Sequence, residues 1–291
     1  MANLKDLKIR INSVKSTQKI TSAMKVVSAA KLRKARELAE NAAPYAERME
    51  KVLSTLAANV SPESAPKLLV GNGKDNVHLL VVISSDRGLC GAFNTHLIKA
   101  VKATIQSLKS QKKEYKIICI GKKGYELLKS EHKDNVIGKT FDISKKKFIP
   151  FEDAAEQSNN IIKMFNEGEF DVCTIYYNKF ITAISQEVTE QQLIPLNIDK
   201  EHAVQTDSIF EFEPSESQIL EELLPKNLGV QVYNAFLENS ASEHGARMSA
   251  MDNATRNAGE MIKKLTLVYN RTRQAAITTE LIEIIAGAEA V

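Results

Sequence analysis

With 291 residues, 43% of them hydrophobic and 26% charged, the chain is long enough to bury a substantial core, and its composition excludes a largely disordered protein. A net charge of +3 is too small to indicate nucleic-acid binding, and three widely spaced cysteines, Cys90, Cys119 and Cys173, support neither a zinc site nor a disulfide framework; they imply a reducing compartment. No window approaches the roughly 18 apolar residues of a bilayer span, and the opening MANLKDLKIR has no apolar signal core, so membrane association is expected only through a partner.

The first 43 residues contain neither Gly nor Pro, and Asn3 followed by Asp6 makes an N-cap with an acidic first turn. The spacing predicts a long helix to about Asn59. Its apolar positions run Leu4, Leu7, Ile11 and Val14, slip phase through Ser16, Thr17 and Gln18, and resume at Ile20, Met24 and Val27, which suits a coiled-coil seam with a stutter. This arm is basic: residues 1–60 hold 12 Lys/Arg against 5 Asp/Glu, a local +7. Tyr45 is its only aromatic, so base stacking is not indicated and an acidic protein partner fits better.

Ser61 to Asn76, with two prolines and two glycines, has linker chemistry. Beyond it the pattern changes to a strand at Val77 (VHLLVVI), a helix over Ala92–Ser110, a strand over Lys116–Ile120, and a short helix over Lys122–Ser130. A helix over Phe151–Asn166 and a strand over Val172–Tyr177 follow, with Ile181–Val188 expected to pair beside that strand. Alternating strands and helices predict a small, largely parallel α/β sheet. Ser215 with Gln218 reads as a capping box opening a short helix that Pro225 interrupts or restarts. Val230, Tyr233, Leu237, His244, Met248, Met251, Ala254, Ala258, Met261, Leu265 and Val268 then repeat at three, four or seven, a seam whose natural partner is the N-terminal helix.

The fold class expected is therefore α+β with an α/β core: a long antiparallel coiled coil of the N- and C-terminal helices plus a small Rossmann-like α/β domain. Its expected divisions are an N-terminal helix at 1–60, a linker at 61–76, the α/β domain at 77–208, and a C-terminal coiled-coil helix with a preceding short helix at 209–291. The last segment, Ile277 to Val291 (ITTELIEIIAGAEAV), is helical in pattern, apolar and nearly free of positive charge. Such a terminus is expected inside something else.

Few residues carry chemistry. SSDRGLCGAFN (Ser84 to Asn94) follows a strand and opens a helix, with Gly88 and Gly91 in the turn, so either a phosphate sits on free amides there or the segment is a tight surface turn. The spacing matches neither GxGxxG nor GxxxxGK[ST], which favours the turn. Five scattered histidines lack metal spacing, and Cys90 beside Arg87 is either an inert or a reactive thiol, the former being the ordinary case. The basic run Lys31, Arg33, Lys34 and Arg36 lacks matching acids for i,i+4 pairs, which strengthens the expectation of an acidic partner.

Three segments, SVKSTQKITSAMKVVSAAKLRKA, SSDRGLCGAFN and ITTELIEIIAGAEA, together resemble the gamma subunit family of F-type ATP synthases. The last fits the family signature through Ile277, Thr278, Glu280, Glu283, Gly287, Ala288 and Ala290. The resemblance implies a non-catalytic rotor shaft standing inside a ring of three alpha and three beta subunits, its foot resting with epsilon on the membrane c-ring. No catalytic residue, cofactor or metal is implied, and no nucleic acid.

By match to the family's motifs, Met24, Arg247, Gln274, Thr278 and Glu280 are expected at the contact with the catalytic subunits, and Arg33 and Arg36 against acidic loops of beta. Phe210, Phe212 and Glu213 are expected at the c-ring; these aromatics are often tyrosine in the family. Ala92 replaces a common glycine, which is expected to stiffen its turn. The absence of a chloroplast-type insert and of an organellar presequence leaves a bacterial protein, peripheral on the cytoplasmic face of the inner membrane, as the expected source, with a mature mitochondrial form as the alternative.

Overall fold

A computed structural model describes residues 4–59, 65–138, 149–196 and 216–289. Six α-helices are described: α1 (Leu4–Asn59), α2 (Lys67–Val70), α3 (Phe93–Ser110), α4 (Lys122–His132), α5 (Phe151–Asn166) and α6 (Glu216–Glu289). Four strands, β1 (Val77–Ile83), β2 (Glu114–Ile120), β3 (Val172–Phe180) and β4 (Gln186–Ile194), form one sheet in the order β2-β1-β3-β4. Contacts divide the chain into two compact units, Ala30–Ala246 and the pair Met1–Ala29 with Arg247–Val291.

Within the first unit, β1 pairs in parallel with both β2 and β3, Leu80 aligning with Ile117 and with Thr174. β4 returns antiparallel beside β3, Tyr176 facing Glu190. The pattern around Ile181 misplaced this last strand by five residues. Ile181 to Ser185 form the hairpin turn, where the Thr182 hydroxyl accepts from the amides of Ile184 and Ser185 at 3.3 and 3.0 Å, and polar QEVTEQQ makes the edge strand. Its alternating polar residues suit a strand with one open edge, a signal that apolar periodicity overlooks.

The sheet is covered on both faces, which is why Leu79 to Ile83 of β1 read as an unbroken apolar run. One face packs Leu80, Val82 and Ile117 against Leu97, Val101 and Leu128 of α3 and α4. The other packs Leu79, Val81 and Ile175 with Ile161 and Phe165 of α5 and with Val232 and Phe236 of α6. A third cluster joins Met49, Leu53 and Leu56 of α1 to Leu220 and Leu224 of α6.

α6 is continuous through Pro225, whereas the sequence suggested a break there. A proline inside a helix costs about 3 kcal/mol. Leu220, Leu224 and Leu228 flank it, all fully buried, and burying three leucines at about 2 kcal/mol each outweighs that cost. The first third of the expected C-terminal seam also serves a different purpose. Tyr233 packs on the sheet core and edge-to-face on Phe151 at 5.5 Å.

In the second unit the two helix segments run antiparallel, as their cross-links show: Thr21 Oγ1 lies 2.8 Å from Thr255 Oγ1, and Lys25 Nζ donates to Asp252 at 2.7 Å. The seam contains no stutter. Among the buried and half-buried positions of α1, the row 4, 7, 11, 14, 18, 21, 25 and 28 is an unbroken alternation of three and four, with half-buried 24 and 29 flanking it. Of the expected continuation Ile20, Met24 and Val27, Met24 is half-buried, whereas Ile20 and Val27 are 60% and 56% exposed. Apolar residues were followed off the seam because its middle positions are Gln18, Thr21, Lys25 and Ser28. On α6 the matching row is 251, 255, 258, 262, 265, 269, 272 and 276, so Met261 and Val268 face outward.

Candidate functional site

A doubly wound sheet takes its ligand at the carboxyl ends of strands where the order reverses, here between β1 and β3. That place is filled. Cys90 and Phe93, after β1, pack on Ala246 of α6. After β3, a Cβ built on Gly245 would lie 3.2 Å from Phe180 Cε2 and 3.4 Å from Ala183. Asn239 Oδ1 accepts from the Asn178 amide at 3.2 Å, and Glu238 accepts from the Phe180 amide at 2.8 Å. Helix α6 thus occupies the crevice that a nucleotide would use.

The SSDRGLCGAFN segment spends polar groups on itself and on the first turn of α4. Ser84 Oγ accepts from the Gly124 amide at 2.8 Å, the Ser85 amide donates to Asn94 Oδ1 at 3.1 Å, and Ser85 Oγ donates to the Arg87 carbonyl at 2.8 Å. Asp86 accepts from the Lys122 amide at 3.0 Å, placing a carboxylate at the start of α4 where an anion would otherwise be drawn. Of the two readings left open, the geometry supports the tight turn. Its sharpness comes from Leu89 and Gly91, both at φ +63°, while Ala92 sits at φ −86°, which any residue adopts. Cys90 is buried beside Ser85 and Asn94, at 3.8 and 3.4 Å. Burial alone pushes the Cys119 thiol up to about 12 and raises that of Cys173.

The residues assigned to contacts are spread along the helices. Met24 is half-buried on α1 beside Lys25, whose hydrogen bond holds the Asp252 carboxyl below its ordinary range. Arg33 is exposed, whereas Arg36 pairs with Glu40 at 3.0 Å and stands over the Phe180 ring at 5.7 Å. Lys34 pairs with Glu37 at 3.0 Å. The basic run therefore does have i,i+3 and i,i+4 acids, contrary to the sequence reading, and only Lys31 and Arg33 of the four lack a partner among the described residues. Such exposed pairs contribute at most about 0.5 kcal/mol each.

Arg247 is 8% exposed on α6. Gln274, Thr278 and Glu280 are exposed, Thr278 Oγ1 donating to the Gln274 carbonyl at 2.9 Å. Phe210, Phe212 and Glu213 lie outside the described residues. From residue 277 to 288 every side chain is exposed, including Ile277, Leu281, Ile282, Ile284 and Ile285, an apolar surface that a free helix in water does not favour. Apolar periodicity missed two groups that the structure brings together: the Gln18, Thr21, Lys25, Thr255 and Asp252 layer, and Phe180 beneath Arg36. Unbroken heptad spacing would have found the first.

No helix among the described residues is long and apolar enough to cross a membrane, and no group of His, Cys, Asp or Glu among them is placed to hold a metal. Two long helices, a small sheet with its ligand crevice filled, and an uncovered apolar helix end define a helical assembly subunit.

The whole-chain comparisons give that class a family. A model of the ATP synthase family matches residues 3–291. The chain is 55% identical over 300 residues to the ATP synthase gamma chain of Rhodospirillum rubrum, covering 100% of both, and 55% identical to that of Pelagibacter ubique, covering 99% of both. It belongs to the ATP synthase gamma chain family. Among solved structures it is similar to a central stalk/c-ring chain of the Tetrahymena thermophila mitochondrial ATP synthase, at 27% identity and TM-score 0.61, covering 81% of this chain and 99% of that one. A chain of the Euglena gracilis mitochondrial enzyme shares the fold at TM-score 0.68 and 20% identity, covering 99% of this chain and 94% of that one.

Proposed function

We propose that this chain is the central shaft of a bacterial ATP synthase, a non-catalytic subunit that converts rotation into conformational change at the catalytic sites of a surrounding ring of three alpha and three beta subunits. The observation that carries the reading is the uncovered apolar end of α6, where Ile277, Leu281, Ile282, Ile284 and Ile285 are all exposed within nine residues. Coupling of this kind is differential contact energy: the shaft biases each catalytic subunit only through contacts that differ between its states.

In this reading Met24, Arg33, Arg36, Arg247, Gln274, Thr278 and Glu280 meet the catalytic subunits, and Phe210, Phe212 and Glu213 meet the c-ring, with epsilon alongside. The segments 1–60 and 209–291 supply the arms and 77–208 the domain between them, joined by the linker 61–76. Arg36 serves best as a charge already oriented by Glu40 and Phe180, and Arg33 as one still free to pair. The protein is peripheral on the cytoplasmic face of the bacterial inner membrane, held there by its partners. The filled crevice between β1 and β3 speaks against the rival reading of a nucleotide-dependent enzyme.

Reconstitution tests the reading. Mixed with purified alpha and beta subunits of a close bacterial relative, the chain is expected to form a complex with one copy per three alpha-beta pairs and to raise ATPase activity over alpha and beta alone. Failure to assemble, where the relative's own gamma chain succeeds, would sink it.

A further inference from the structure

The middle of the paired helices in the second unit is polar where a coiled coil is ordinarily apolar. Four successive seam positions on α1 are Gln18, Thr21, Lys25 and Ser28, with Thr21 and Ser28 buried. Each described contact across the seam is specific. Thr21 Oγ1 and Thr255 Oγ1 share a hydrogen bond at 2.8 Å, and Thr255 Oγ1 also reaches the Met251 carbonyl at 2.7 Å. Gln18 Nε2 donates to the Thr255 carbonyl at 3.5 Å. Lys25 Nζ donates to Asp252 at 2.7 Å, and Arg256 approaches the same carboxylate at 3.8 Å. A Cβ built on Gly259 would lie 3.1 Å from Gln18 Nε2, so this helix glycine leaves room for the glutamine amide.

The seam before the layer on α1 is different. Leu7, Ile11 and Val14 precede the layer, and the register set by Thr21 and Thr255 brings them level with Tyr269, Leu265 and Ile262. Apolar contact of this kind is non-directional and changes little if one helix slides a heptad along the other. The polar contacts do change. Sliding by seven residues sets Thr21 level with Ile262, Lys25 level with Gly259 and Asp252 level with Leu32. The Thr21–Thr255 bond across the seam is then lost, leaving Thr21 only the Gln18 carbonyl at 3.1 Å and Thr255 only the Met251 carbonyl, each within its own helix, and the Lys25–Asp252 pair is broken.

We propose that the Gln18–Thr21–Lys25 and Asp252–Thr255–Gly259 layer is a register key, which holds the two antiparallel helices at one axial alignment and resists sliding under load. Polar seam residues specify register in coiled coils at some cost in stability. The key explains why side chains that weaken an apolar seam stand at its middle. It also concerns this chain alone, so it holds whatever the partners are.

Paired cysteines in the full chain test it. Val14→Cys with Ile262→Cys reports the native alignment under a short bismaleimide, and Val14→Cys with Tyr269→Cys reports a one-heptad slip. In the otherwise unaltered chain the first pair is expected to cross-link and the second to remain at background. Adding Thr21→Val, Thr255→Val, Lys25→Leu and Asp252→Leu is expected to raise the ratio of slipped to native cross-linking about tenfold, the equivalent of about 1.4 kcal/mol in register preference. The exchange Lys25→Asp with Asp252→Lys is expected to keep the native ratio, and Lys25→Asp alone to raise it. An unchanged ratio in the four-residue variant, or no native cross-link in the unaltered chain, would overturn the key. Circular dichroism confirms that each variant remains helical.

Discussion

Gly121 shows how one residue holds the sheet to its helices. It follows β2 at φ +100°, and a Cβ there would lie 2.2 Å from the Ser84 carbonyl oxygen. Ser84 in turn donates its amide to the Ile120 carbonyl at 2.7 Å, so neither backbone can retreat. Gly121→Ala is expected to cost about 3 kcal/mol or more in urea unfolding. Asp171 acts through hydrogen bonds. Burial pushes its carboxyl up, but the Asn72 amide and the backbone N–H groups of Val77 and Asn76 more than offset this and hold it below the ordinary range. His132, packed against Tyr115, is held below the usual imidazole range by burial and by the Lys109 charge. Both folded values lie below the unfolded ones, so both stabilise fully above the unfolded value and lose that contribution as pH falls through the folded one. Stability is therefore expected to decline in two windows, below about 6.5 for His132 and below about 3.9 for Asp171. In urea midpoints measured against pH, His132→Gln flattens the first window and Asp171→Asn the second.

At the level of elements, the corrected phase of α1 makes its own prediction. Ile20 is exposed, while Leu56, on the same helix, is fully buried against Leu220 and Leu224 of α6. Leu56→Ala is expected to cost about 2–5 kcal/mol, and Ile20→Ala less than about 0.5 kcal/mol in the chain by itself; equal costs in chemical unfolding would place Ile20 on the seam after all. The strands β1, β2 and β3 were legible because each is apolar, β-branched and bounded by turn residues. β4 was not, since an edge strand with one open side carries Gln and Glu where a buried one carries Val. Pro225 misled for a similar reason: propensity is local, and the leucines that hold α6 continuous across the proline draw their energy from α1 and the sheet, which lie far away in sequence.

For the whole molecule, the exposed helix end separates chain stability from assembly. Removing residues 277–291 takes away no buried side chain among those described, so the thermal midpoint is expected to move by less than about 2 °C, while incorporation into an alpha-beta ring and its ATPase activation fall. A large drop in the midpoint instead would show that this end packs within its own chain. Much of the architecture was already written in local chemistry. Two glycine-poor, periodic arms, an alternating α/β middle and an apolar, acid-bearing terminus define long helices, a sheet and a surface that seeks cover, because hydrophobic periodicity and turn chemistry act over a few residues. The Ile277 to Ala290 motif carried the family on the same footing. The alignment of the two arms, the polar layer that sets it, the filling of the β1/β3 crevice by Gly245 and Ala246, and the placement of the Arg36 charge over Phe180 were decided by tertiary structure alone. Each depends on which distant segment arrives opposite, and a buried threonine or glutamine counts as polar until its partner, more than 200 residues away, is in place.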